Sequence, residues 1–135
     1  MNRMKERLFV ATFSENAIEE IKQYGLNIEF DHLCISENLD EEKIEQTLSD
    51  MRRDWRCASA VRAIIHGPYT EINASSVDPK VLRLTKERYE AAYRVCRELG
   101  VNHMVVHSGF IPILYYKEWH REKSAVFWKE FMSDK

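Results

Sequence analysis

The amino-acid sequence predicts an α/β protein of about four strand-and-helix units on a mostly parallel sheet. Two observations carry this. Short apolar runs, each followed by a stretch with apolar residues at helical spacing, recur four times in 135 residues, and such alternation implies right-handed crossovers between parallel strands. The four glycines, at positions 25, 67, 100 and 109, fall twice at predicted helix ends and twice just beyond a histidine that closes a strand. None of them builds a G-x-G-x-x-G or P-loop fingerprint for nucleotide phosphates.

The first unit pairs the strand "RLFVATF" with the helix "SENAIEEIKQYG", in which Ser14 is the predicted N-cap and Gly25 the C-terminal stop. Ala17, Ile18, Ile21 and Tyr24 supply its apolar side. The second opens with "LNIEFDHLCI" and continues into a helix capped by Asp40, with Glu41 and Glu42 suited to the first turn and Ile44, Leu48, Met51 and Trp55 facing inward. In the third, the apolar run Val61 to Ile65 leads into "HGPY". Asp78, Pro79 and Gly100 bound a long helix whose stripe is Leu82, Tyr89, Ala92, Cys96 and Leu99. The fourth is "VNHMVVHSG", an aromatic loop, and a helix around "REKSAVFWKEFM" with Trp119, Val126, Phe127 and Phe131 on its apolar side. By length alone, 135 residues fit a doubly wound domain and fall short of a complete eight-unit barrel, which takes about 250.

With 44% hydrophobic and 31% charged residues the chain is globular in composition. Its 20 basic and 22 acidic side chains, a net charge of -2, argue against a sequence-blind nucleic-acid coat and leave a local phosphate-binding surface open. Cys34, Cys57 and Cys96 form no CxxC pair and read as reduced, structural thiols. No segment approaches the roughly 20 apolar residues of a membrane span, and the apolar run from Leu8 to Phe13 lacks a signal-peptide pattern, so the expected location is cytoplasmic.

Two histidines end strands in the same way. His66 follows "VRAII" and precedes "GPY"; His107 follows "HMVV" and precedes "SG". In a parallel sheet both imidazoles lie at the carboxyl edge, where loops gather ligands. One reading has each imidazole filling space where a strand stops; the other has the strands delivering two metal or substrate ligands. Imidazole serves zinc and manganese and also works as an acid or base near neutral pH. A catalytic mononuclear site takes three protein ligands, so carboxylates are needed as well. Glu29 and Asp31, two apart on one strand face, are candidates, as is Glu71. His32, His103 and His120 have less support: His103 belongs at the opposite strand edge, and His120 to structure or solvent on an exposed helix. Asn73, Ser75 and Ser76 can bind a phosphate or hydroxyl-rich ligand, or organise their own loop. "YYKEW" adds aromatic faces and a cation.

The segment "HGPYTEINASS" resembles the nuclease-type H-x-P-Y pattern of the xylose-isomerase-like TIM-barrel superfamily, which spans sugar-phosphate isomerases and epimerases and the endonuclease IV class of abasic-site nucleases. "VVHSG" is similar to its histidine-small-glycine strand ending, and "GLNIEFD" to its second unit. The resemblance implies a partial TIM barrel of about four parallel β/α units: residues 1–135 as one N-terminal half-barrel domain, a fragment or an assembling half. It implies His66 and His107 as metal ligands, with Glu29, Tyr69 and Asn73 toward substrate. The implied cofactor is a divalent ion, zinc or manganese, and the implied activity is isomerisation or epimerisation of a sugar or sugar phosphate. The catalytic base and further ligands then belong to later strands, so the isolated chain is incomplete for catalysis. The family's alternative is metal-dependent hydrolysis of a DNA phosphodiester; a different class is a noncatalytic sugar-binding or assembly domain. Exposed half-barrel edges imply a homodimer.

Overall fold

The computed structural model describes residues 4–135. Four strands alternate with four helices: β1 (Phe9–Ala11), α1 (Ala17–Tyr24), β2 (Asn27–Phe30), α2 (Glu41–Ala58), β3 (Ala63–His66), α3 (Pro79–Leu99), β4 (Met104–Val105) and α4 (Lys117–Phe131). The strands are all parallel and lie in the order β1-β2-β3-β4. A doubly wound sheet reverses its strand order at a switch point, whereas a barrel adds each strand beside the last. The sequential order therefore overturns the doubly wound alternative that length suggested. The four units form a partial TIM barrel, as the resemblance implied.

Alternation along the strands divides the sheet into two chemistries. Ile28, Phe30 and Ile65 are fully buried and join Ile21, Leu48, Met51, Ala92 and Val95 in the core beneath the helices. Burying each such side chain contributes about 1.5–3 kcal/mol. Glu29, Ile64 and His66, one residue out of phase, occupy the other face and stay half-buried. At the amino end of the sheet, the buried Asn27 amide donates to the carbonyls of Lys5, Glu6 and Leu8 at 3.3, 3.2 and 2.9 Å, and Arg62 donates to Glu6 at 2.9 Å. These bonds tie the N-terminal turn across that edge.

Most boundaries fall where the sequence places them. Asp78 accepts from the Lys80 amide at 2.8 Å, Pro79 opens α3, and Gly25 and Gly100 end their helices at φ 62 and 70. Asp40 caps α2 through its backbone carbonyl, while its carboxylate pairs with Arg88. Four expectations need correction. Asn16, at φ 60, stands at the N-cap of α1 in place of Ser14, because Ser14 takes part in the preceding turn. Tyr24 and Val61 are exposed, Val61 at 89%; the apolar run enters the sheet only at Ala63. Val126 is 64% exposed, and Trp128 replaces it in packing against Tyr89 of α3. Helix α4 also begins earlier, at Lys117, and His120, 6% exposed, takes the structural one of its two expected places. Among the described residues, no helix is long and apolar enough to cross a membrane.

Cys96 and Tyr89, both buried on α3, titrate well above their ordinary ranges. Burial pushes the Cys96 thiol up to about 11 and the Tyr89 phenol to about 12. Both stay protonated in the fold while the unfolded chain releases their protons at lower pH, so stability falls as pH rises. The expected loss between about pH 8 and about pH 10 is about 1–2 kcal/mol, read from urea midpoints; a Cys96→Ala variant should lose less over the same range.

Candidate metal centre at the strand ends

Because Ile65 points into the core, His66 must point to the opposite face, and β3 ends there with its side chain 20% exposed. Gly67 follows and donates its amide to the Val105 carbonyl at 2.9 Å. A β-carbon at Gly67 would stand 2.8 Å from the Met104 sulfur and 3.1 Å from that carbonyl, so glycine lets the chain run this close to β4.

His66 stands among four other functional side chains. Its Nδ1 lies 2.9 Å from Glu29 Oε1 and 3.5 Å from Asp31 Oδ1. Its Nε2 lies 2.7 Å from His107 Nε2, with the two rings stacked at 4.9 Å between centroids. Tyr69 packs on His107 at 4.3 Å and on His66 at 5.6 Å, and is 42% exposed. A carboxylate only accepts, so His66 Nδ1 carries the proton shared with Glu29; in neutral rings its Nε2 then accepts from His107 Nε2–H.

Asp31 is fixed from the neighbouring strand. The Thr12 hydroxyl and the Phe13 amide each donate to Oδ2 at 3.4 Å, and the Asp31 amide donates to Thr12 Oγ1 at 3.0 Å. The chain then turns tightly, Cys34 N–H donating to the Asp31 carbonyl at 3.0 Å, and sets Cys34 Sγ 3.9 Å from Asp31 Oδ1. Thr70, in the loop beyond His66, donates to the Cys34 carbonyl at 2.8 Å and holds this turn against the β3–α3 loop. Burial pushes the Cys34 thiol up to about 12, with help from the charges of Asp31 and Glu29 and the bond to Asp31.

Asp31, Cys34 and His66 each offer a donor atom, and these atoms all lie within 4.8 Å of one another. Ligands about 2.0–2.3 Å from one ion stand about 3–3.7 Å apart, so the 3.5 and 3.9 Å separations fit a divalent cation with little adjustment. Sequence reasoning named His66 and Asp31 but took Cys34 for a structural thiol. The missed signal is the D-x-x-C spacing just past β2, which brings the thiol back within one turn to the edge His66 occupies.

The other named residues divide. Asn73 Oδ1 accepts from the Ser75 amide and hydroxyl at 2.8 and 2.9 Å, and its Nδ2 faces the Tyr115 hydroxyl at 3.5 Å. Ser75 Oγ lies 2.7 Å from Nδ1 of the buried His120, and Ser124 approaches its Nε2 at 3.4 Å. The Ser76 hydroxyl accepts from the Asp78 amide. This polar network ties α4 to the β3–α3 loop. Glu71 is exposed, at φ 60, outside the donor group. His103 is exposed at the amino end of β4, the expected opposite edge, and His32 pairs with Asp54 at 3.3 Å.

No family model matches the chain. Over 55 residues it is 34% identical to an uncharacterized protein of Methanocaldococcus jannaschii, covering 41% of this chain and 19% of that one. Among solved structures it is similar to the crystal structure of a D-tagatose 3-epimerase-like protein, with a TM-score of 0.63 and 22% identity over 93% of this chain. The chain spans about half that structure, 47% of its length. The likeness establishes the fold.

The network around His120 gives a test separate from the metal centre. Ser75→Ala leaves the imidazole Nδ1 buried without its partner, and the expected cost is about 1–3 kcal/mol of stability by urea denaturation, with any metal binding by the folded protein unchanged.

Proposed function

We propose that the protein is a divalent-metal-dependent isomerase or epimerase of a sugar or sugar phosphate, with these four units forming one wall of its site. The observation that carries this reading is the continuous contact from Glu29 through His66 to His107 on the edge of the parallel strands where barrel loops collect ligands. A bound zinc or manganese ion would polarise adjacent carbonyl and hydroxyl oxygens of the substrate. Before the ion binds, Glu29 Oε1 orients the His66 ring through Nδ1. His107 Nε2, exposed at the mouth, is placed to hold or move a proton. Tyr69 offers a sugar its ring face and hydroxyl beside His107, and Asn73 shapes the β3–α3 loop, its Nδ2 passing to substrate only by leaving the long contact with Tyr115.

The test is proton exchange. Metal-loaded full-length protein is incubated in deuterated water with a panel of aldoses, ketoses and their phosphates, and deuterium at the carbon next to the carbonyl is followed by NMR. Exchange with at least one member is expected, and His66→Ala and Glu29→Gln should each slow it by about a hundredfold or more. Incision of abasic-site DNA without exchange on any sugar would replace this reading with phosphodiester hydrolysis. Absence of both activities, in an assembly unchanged when both histidines are replaced, would replace it with a noncatalytic role.

A further inference from the structure

We infer that a thiophilic divalent ion of the zinc and cobalt class binds on the Nδ1 side of His66, held by Cys34 Sγ, Asp31 Oδ1 and His66 Nδ1 with Glu29 alongside, while His107 serves as the hydrogen-bond partner of His66 Nε2 instead of as a ligand. This deepens the metal half of the proposed function and does not depend on the sugar chemistry.

Three observations separate the two sides of the imidazole. The first is distance: His66 and His107 already stand at hydrogen-bond length, 2.7 Å, and two nitrogens sharing a tetrahedral ion would have to part to about 3.3 Å. On the other side Asp31 Oδ1 stands 3.5 Å from His66 Nδ1 and 3.9 Å from Cys34 Sγ, the wider separations that ligation requires, and the 2.9 Å bond from Nδ1 to Glu29 Oε1 opens as the ion enters. The second is orientation. Thr12 and Phe13 occupy Oδ2 of Asp31, which leaves Oδ1 directed at both the thiol and the imidazole; metal-binding carboxylates are held in this way by hydrogen bonds behind them. The third is charge. Glu29 and Asp31, with side chains 20% and 8% exposed, have no Lys or Arg ion-pair partner among the described residues, and both approach His66. A cation on the Nδ1 side compensates both.

Coordination also settles the protons. Cys34 releases its thiol proton to solvent as the ion binds. The His66 proton moves from Nδ1 to Nε2 and is donated to His107 Nε2, whose own proton moves to its Nδ1, so one proton leaves in all. A histidine ligand donating its second ring N–H to a fixed acceptor is the usual support for such a site. Thiolate in the donor set selects zinc or cobalt over magnesium or manganese.

Cobalt(II) titration of the metal-free, full-length protein tests this. A thiolate-to-cobalt charge-transfer band in the near ultraviolet is expected, retained in Cys57→Ser and lost in Cys34→Ser. His107→Ala should keep the band while raising Kd about tenfold, the usual size of the effect of removing a ligand's supporting partner. In the wild-type protein zinc should protect Cys34, and not the exposed Cys57, from maleimide labelling read by mass spectrometry, a measurement that stands even if Cys34→Ser does not fold. A band that survives Cys34→Ser, or a wild-type protein that binds no cobalt, would overturn the inference. Sugar exchange in a protein lacking the thiolate band would sink the Cys34 site alone; a normal band without sugar exchange would uphold it and count against the isomerase reading.

Discussion

The parallel pairing of Ile65 with Phe30 on one side and Met104 on the other is the constraint on which the rest of the molecule depends. Ile65 is fully buried beneath the helices, so the alternation of the strand turns His66 toward the other face. A slip of one residue would drive the imidazole into the core and the isoleucine out of it. The apolar packing that stabilises the four units and the exposure of His66 on the opposite face are therefore one geometric fact. Because every pairing is parallel, the same fact brings Asp31 and His107 to the same edge as His66.

Once the register is set, hydrogen bonds between units place the site's atoms. Asp31 belongs to the end of β2 but is held by Thr12 and Phe13 from the end of β1. Cys34 lies in the second unit but is held by Thr70 from the third. Bonds to a charged carboxylate contribute about 1.5–3 kcal/mol each, enough to hold a rotamer against solvent. The donor group thus rests on three successive units, and no single loop carries it. The opposite edge is treated differently: there Asn27 and Arg62 join the sheet to the N-terminal turn with bonds directed at backbone carbonyls. The division follows the general plan of TIM barrels, in which the amino end of the strands serves stability and the carboxyl end collects ligand-bearing loops.

His66 shows how one side chain can have two unlike surroundings. Its Nδ1 meets two carboxylates, one of them bonded to a thiol, and its Nε2 meets another imidazole under an aromatic ring. A buried histidine elsewhere in the fold, His120, has serine on both nitrogens and no carboxylate within its network. The first arrangement concentrates negative charge and soft donors; the second only satisfies hydrogen bonds. That contrast distinguishes the two histidines more firmly than burial does, since His120 is the more buried of the two.

The amino-acid sequence by itself determined the four β/α units, the cap at Asp78, the glycine stops at positions 25 and 100, and the placing of His66 and His107 at successive strand ends. These depend on local periodicity and on backbone preferences that act within a few residues. It also made Glu29 and Asp31 legible as a pair, since strand alternation puts residues two apart on one face. Only the tertiary structure decided the rest. Strand order, which separates a partial barrel from a doubly wound sheet, is set by packing between units. Val61 and Val126 are apolar and exposed because burial depends on where the sheet and α3 lie, which side-chain polarity alone does not reveal. The D-x-x-C spacing hinted only that Cys34 returns toward Asp31; its place beside His66 also needs Thr70 from another unit and the register of β2 against β3, and distances across strands are written in no single stretch of chain.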